Sequence, residues 1–279
     1  MIRPVRLEQL DRLLELADLL LLRSLSTALL VPKHAFGGAR RAEEYRKRLR
    51  TLLVEENRVE RALQHLVGHP EDELIPLERW RLGELVGASD RLLHHEHFRV
   101  GRERIAERFD PGDARTCLFL PCHRVKPYSQ SPVVKAVQGL IERCGWARSV
   151  VIVVASVPGV VPIGMDRFYP FAYYNWSPAD EEGRLIRSYV EALRERVGNF
   201  IDAFRGRFNR YIAYFRPASV EIDSIQGAFA ERGLSCLQVP QAARMHEIVR
   251  KNRALWRFQG LKREECLAEL GDALKGEEA

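Results

Sequence analysis

The chain has 279 residues, of which 46% are hydrophobic and 29% charged, with a formal net charge of +6. At about 150 residues per domain that is one large domain or two small ones, long enough to bury a core without disulfide or metal staples. The composition excludes global disorder, and the modest positive excess permits a phosphate-rich partner without requiring one.

Five cysteines with no CxxC spacing argue against a disulfide framework and against a closed zinc site, so a cytoplasmic protein is expected. The N-terminal leucines Leu10, Leu13, Leu14, Leu20, Leu21 and Leu25, interrupted by Glu15, Asp18 and Arg23, predict an amphipathic helix rather than a signal peptide. No stretch has the ~18 apolar residues of a membrane span, and no membrane partner is expected. Helical periodicity continues from Glu43 to Leu66, stops at Gly68-His69-Pro70, and resumes from Ser89 to about Phe109. Residues 1–110 therefore read as an all-helical N-terminal domain, closed by the turn-forming Asp110-Pro111-Gly112-Asp113.

Beyond that turn, strands and helices alternate. Thr116 to Leu120 reads as a short apolar strand. Pro132 to Cys144 reads as a helix with Ser131 as N-cap and Gly145 past its end. Ser149 to Ala155, β-branched almost throughout, has the pattern of a strand buried on both faces. A long loop is expected from Ser156 to Trp176, then a helix behind Ser177-Pro178-Ala179-Asp180, which has the form of a capping box. Arg210 to Phe215 and Cys236 to Val239 read as strands three and four, separated by a helix from Ser219 to Arg232. The fold class is thus α/β: a mostly parallel four-stranded sheet flanked by helices over residues 111–260, with 261–279 as a C-terminal tail. In such sheets ligands bind beyond the C-terminal strand ends.

The loop after the first strand reads Pro121-Cys122-His123-Arg124-Val125-Lys126-Pro127-Tyr128-Ser129-Gln130-Ser131. It gathers a thiol, an imidazole, two cations, a phenol and two hydroxyls, and it runs into a helix N-terminus, which favours anions. From these residues alone it is either an anion or phosphate site with Cys122 as a nucleophile, or a polar strand-to-helix turn with a half-buried cysteine. A His94-His95-Glu96-His97 cluster lacks the spacing of a metal motif, and no metal and no cofactor is expected.

PCHRVKPYSQS resembles the PC-x3-KPY-x2-S motif of the archaeosine synthase family, archaeal tRNA-modifying enzymes related to tRNA-guanine transglycosylases. Residues 97–109 and 157–170 (VPGVVPIGMDRFYP) are similar to flanking segments of the same family, and the likeness extends over about residues 95–241. The resemblance implies a uracil-DNA-glycosylase-like sheet and a tRNA-modification protein that acts on or binds 7-cyano-7-deazaguanine-modified tRNA. The reaction it implies is addition of lysine to the nitrile, with lysine as co-substrate. It further implies a transglycosylase-like or radical S-adenosylmethionine protein as partner. Cys122, Lys126, Tyr128 and Ser131 match the motif and are the candidate catalytic residues. Arg124, His123, Ser129, Pro162, Asp166, Tyr169, Tyr173 and Asn175 are candidate substrate-binding residues. The chain departs from the family pattern at Val134, where the motif carries a histidine. It departs again at Gly164, Tyr173 and Asn175, where the second segment carries acidic and histidine positions. Asp166 and His123 remain as candidates for moving protons.

Those departures keep two alternatives open: a catalytically degenerate homologue serving as an RNA-binding or scaffolding subunit, and a nucleobase-processing enzyme with another substrate. Between Ala242 and Arg263 seven Lys or Arg stand against one acid, Glu247. Arg244, Arg250, Lys251, Arg253 and Arg257, interleaved with Trp256 and Phe258, suit RNA phosphates and unstacked bases. The aromatic run Tyr169 to Trp176 is expected to line a pocket near the first loop. Cys117, Cys144 and Cys236 are expected in the core.

Overall fold

The computed structural model describes residues 74–76, 79–81, 84, 85, 87, 89–123, 125–176, 183–251 and 260–276. The helices expected before residue 70, the capping box at 177–180, and residues Arg124, Arg253, Trp256, Arg257 and Phe258 lie outside them. The chain divides into two compact units, residues 1–80 and 81–279. In the described part of the first unit, Leu74, Ile75 and Trp80 are buried, and the Trp80 indole N–H donates to the Ile75 carbonyl at 2.8 Å.

The second unit is built around five strands. In chain order they are β1 (Thr116–Pro121), β2 (Val150–Ser156), β3 (Gly159–Pro162), β4 (Arg210–Tyr214) and β5 (Leu237–Val239), arranged 3-2-1-4-5 across the sheet. β1, β2, β4 and β5 are parallel: Thr116 stands opposite Val150 on one side and Arg210 on the other, and Ile212 opposite Leu237. These are the four strands the sequence predicts. The fifth, β3, corrects the expected long loop and makes the sheet mixed. After β2 the chain turns through Val157-Pro158 and runs back antiparallel, with Ser156 opposite Gly159 and Val153 opposite Pro162. Its four residues show no alternation because all are buried. Gly159 takes φ +126°, and a Cβ there would lie 2.6 Å from Arg102 Cδ, so both the turn and the close approach demand glycine.

Among the described residues the α-helices are α1 (Asp90–Leu93), α2 (Glu96–Arg108), α3 (Pro132–Arg143), α4 (Gly183–Ala203), α5 (Val220–Ala230), α6 (Ala242–Lys251) and α7 (Glu264–Lys275). The single helix expected over 89–109 is two. Ser89 Oγ accepts the Leu92 N–H to cap α1, and His95 Nδ1 accepts the His97 N–H to start α2, so local capping breaks the run. α3 follows the sequence reading closely: Ser131 Oγ accepts the Val133 N–H, Pro132 opens the helix, and Gly145 (φ +76°) follows its end. α5 is capped by Ser219 in the same way, with Ile222, Ile225 and Phe229 buried. α2 and α4 pack on β3, α4 lies along α5, and α3 meets α7. Phe119 of β1 packs edge-on against Phe200 of α4 and Phe229 of α5, at 6.1 and 5.8 Å. Cys117 and Cys236 are buried as expected, whereas Cys144 is exposed, because it caps α3 at its solvent end.

The strand order sets the location of a ligand site. β1 connects through α3 to β2 on one side, and β4 connects through α5 to β5 on the other. The chain therefore diverges between the adjacent strands β1 and β4. Right-handed crossovers leading in opposite directions open a crevice beyond the C-terminal ends of two such strands.

Candidate functional site at the divergence of β1 and β4

A cavity of about 510 Å³ occupies this crevice. One wall comes from the β1–α3 connection, with Pro121, Cys122, His123, Pro132 and Val133. The other comes from the β4–α5 connection, with Phe215, Arg216, Ser219 and Glu221. A short turn, Gly260–Lys262, closes the side. The Tyr214 hydroxyl donates to the Leu261 carbonyl at 2.6 Å and so hangs that turn on the end of β4.

The first wall is a tightly bonded cluster. Cys122 leaves the end of β1 with its Sγ 3.1 Å from the Tyr174 hydroxyl and 3.9 Å from that of Tyr128. The two phenol oxygens are 2.5 Å apart. Burial, and after it the charge of Cys122, pushes both phenols well above their usual range, so they are neutral hydrogen-bond donors at neutral pH. Lys126 is buried. Its Nζ donates to the His123 carbonyl at 3.3 Å and lies 4.1 Å from the centre of the Tyr174 ring, a cation–π contact. Cys122 and Lys126 thus converge on one tyrosine: the thiol meets its hydroxyl and the ammonium its face. Cys122 lines the cavity; Lys126 is not among the lining residues.

His123 Nδ1 is buried without a hydrogen-bond partner. Burial, opposed in part by a hydrogen bond to the Pro121 backbone and aided by the Lys126 charge, pushes the imidazole down to about 4, so the ring is neutral at physiological pH. Asp166 is a clamp. Its Oδ2 accepts the Ser129 N–H at 2.6 Å and its Oδ1 the Gly164 N–H at 3.0 Å, tying the turn before α3 to the segment after β3. Ser131 is fully buried and holds the first turn of α3. Val134, where the resembled motif has a histidine, is fully buried in the apolar face of α3.

The other predicted residues lie elsewhere. Pro162 ends β3 opposite Val153. The Tyr169 hydroxyl accepts the Arg81 N–H at 2.9 Å and stands 2.6 Å from His97 Nδ1, and its ring stacks on that of Tyr173 at 6.2 Å. The backbone of Asn175 pairs with Leu85 and Gly87. Of the buried aromatic run from Tyr169 to Trp176, Tyr174 is the member that reaches Cys122. On α6, Arg244 and Arg250 are exposed, and Arg244 pairs with Glu247 at 2.7 Å. The side chain of Lys251 lies outside the described residues.

Sequence reasoning missed the second wall. From sequence Phe215 and Ser219 are only the ends of a strand and a helix, Lys262 is one of the seven Lys or Arg between Ala242 and Arg263, and neither Arg216 nor Glu221 is a candidate site residue. Ala218, in the loop of that wall, has φ +58°, a left-handed conformation that is strained for a residue with a Cβ. Glu221 and Lys262 make no hydrogen bond or ion pair among the described residues.

Residues 99–215 match a family described as a domain of unknown function, DUF5591. A stretch of 93 residues, 33% of the chain, is 37% identical to archaeosine synthase subunit alpha of Methanosarcina acetivorans and spans 14% of that protein's length. Among solved structures the chain shows a partial likeness to AF0587, a protein of unknown function. That likeness has a TM-score of 0.41 at 17% identity and covers 62% of this chain and 49% of the other. No described helix is long and apolar enough to cross a membrane.

Proposed function

We propose that the chain is a tRNA-modification protein that acts on 7-cyano-7-deazaguanine in tRNA by adding lysine to the nitrile. The observation that carries this reading is the convergence of Cys122, Lys126 and Tyr128 on Tyr174 beside the cavity. These residues match the PC-x3-KPY motif in a chain with a 37% identical stretch in an archaeosine synthase subunit. The Cys122 sulfur adds to the nitrile carbon while the nitrile nitrogen takes a proton through the Tyr174 and Tyr128 hydroxyls, giving a thioimidate. The lysine amine then forms the new C–N bond, the thiol departs with its proton restored, and an amidine remains. Lys126 holds Tyr174 in place and contributes positive charge near the thiolate. A transglycosylase-like or radical S-adenosylmethionine protein would act before or after this chain on the same base.

Mass spectrometry of cyano-deazaguanine tRNA incubated with lysine and the protein tests this. Wild type adds the mass of lysine to the base, and Cys122→Ala abolishes the shift. Lys126→Ala reduces it by about a hundredfold, the scale of losing one electrostatic group from a site. No mass change at any protein concentration overturns lysine transfer.

A second reading is that of a non-catalytic RNA-binding subunit. Burial of Val134 in place of a histidine, and commitment of both Asp166 oxygens to backbone N–H groups, favour it. Tight tRNA binding without turnover, weakened by reversal of Arg244 and Arg250 with a shallower salt dependence, would select it.

A further inference from the structure

The two walls of the cavity differ in chemistry. The first offers Cys122 and the neutral His123. The second carries Arg216 together with two charged groups that make no hydrogen bond or ion pair among the described residues: the Glu221 carboxylate at the start of α5, and the Lys262 ammonium on the closing turn. No ion pair joins these two. Glu221 and Cys122 both act on the buried Tyr189 phenol of α4, which is raised first by burial and then by their charges. Phe215, Leu261 and Val133 add apolar surface to the lining, and Arg216 and Ser219 add a further cation and a hydroxyl.

An unpaired carboxylate lining a cavity is an acceptor for two adjacent N–H donors. An ammonium lining the same cavity suits a phosphate. A volume of about 510 Å³ is of the order of a nucleotide-sized ligand site.

We propose that Glu221 is the residue that selects the base. Its two oxygens accept the N1–H and 2-amino group of a guanine-type edge, and Lys262 meets the phosphate of the same nucleotide. This rests on the reading of the cavity as a deazaguanine-nucleotide site and adds to it a specificity determinant on the wall opposite Cys122. An adenine-type edge presents a lone pair at N1 to the carboxylate and has one amino group to offer it. It therefore loses a charge-assisted hydrogen bond and meets repulsion.

Calorimetric titration of the full chain with guanosine 5′-monophosphate, adenosine 5′-monophosphate and lysine as probes tests the assignment. Wild type binds the guanosine nucleotide at least about tenfold more tightly than the adenosine one. Glu221→Gln reduces that ratio below about threefold by weakening the guanosine nucleotide alone, and Lys262→Met weakens both nucleotides about equally. Equal wild-type affinities, no nucleotide binding, or an unchanged ratio in Glu221→Gln overturns it. So does lysine binding that disappears in Glu221→Gln, since the carboxylate would then hold an ammonium. The two readings fail separately. If Glu221→Gln modifies tRNA at the wild-type rate, base selection by Glu221 falls and lysine transfer stands. If nucleotide selectivity follows Glu221 while wild type never alters the tRNA, lysine transfer falls and the selector stands.

Discussion

The β1–α3 wall and the β4–α5 wall meet at one cavity but are built differently. The first is saturated with contacts. Cys122, Lys126, Tyr128, Ser129 and Ser131 all have identified partners, and Asp166 pins the loop from outside. The second holds its backbone through Ser219 and the Tyr214–Leu261 bond but leaves Glu221 and Lys262 unpaired. A pre-organised reacting group needs the first kind of support, because a loose one spends its time in unproductive geometries. A recognising group needs the second kind, because a charge already neutralised inside the protein has little left for a ligand. The same divergence of strands thus supplies a rigid half and a receptive half.

The comparison is sharpest in what substitutions should do to stability. The largest effect is expected for Asp166→Ala. It removes two part-buried hydrogen bonds to a charged acceptor, from the Ser129 and Gly164 N–H groups, at about 1.5–3 kcal/mol each. A loss of about 4 kcal/mol by urea denaturation is expected; a loss below about 1 kcal/mol would mean that the first wall does not depend on its clamp.

The next effect is acid sensitivity through His123. Its folded value of about 4 lies below the usual value of 6.5, so between these limits the unfolded chain binds more protons than the folded one. Stability from this group is complete above about pH 6.5 and is lost as pH falls toward 4, by about 3 kcal/mol in all. His123→Gln should flatten the slope of stability against pH in that window. An unchanged slope would show that the imidazole is not held neutral. The smallest effect is expected on the second wall. Glu221→Gln should change the thermal midpoint by no more than the equivalent of about 0.5 kcal/mol, as for a surface substitution without partners. A large drop would mean that Glu221 is structural and the contrast between the walls is false.

Much of the first wall was legible in the chain. Ser131-Pro132 ahead of an apolar helical period predicts a capped helix, and the packed polar residues after an apolar strand predict a site at the strand's end. Those are local rules, and here the local preference and the tertiary environment agree. The role of Asp166 was not legible. It was a candidate for binding or proton transfer, and it is committed to two backbone donors because the segment after β3 returns beside the turn. β3 was hidden for a related reason. Four consecutive buried residues have no period, and Gly159 and Pro162 read as loop residues until a neighbouring strand accounts for them. Tyr169 and Tyr173, placed by sequence near the pocket, turn instead toward His97 and each other.

The α/β class, four parallel strands, the cap of α3 and a chemically dense bend after β1 are readable in the chain alone, since each depends on residues near one another in the chain. Only the tertiary structure decided which strands are neighbours. That order, 3-2-1-4-5, places β4 rather than β2 across the crevice from Cys122, and with it Glu221, about a hundred positions away in the chain. Side-chain periodicity reports which face of a strand is buried; it carries no information about which strand lies alongside. That is settled by the hand of the crossovers and by the packing of α3 and α5.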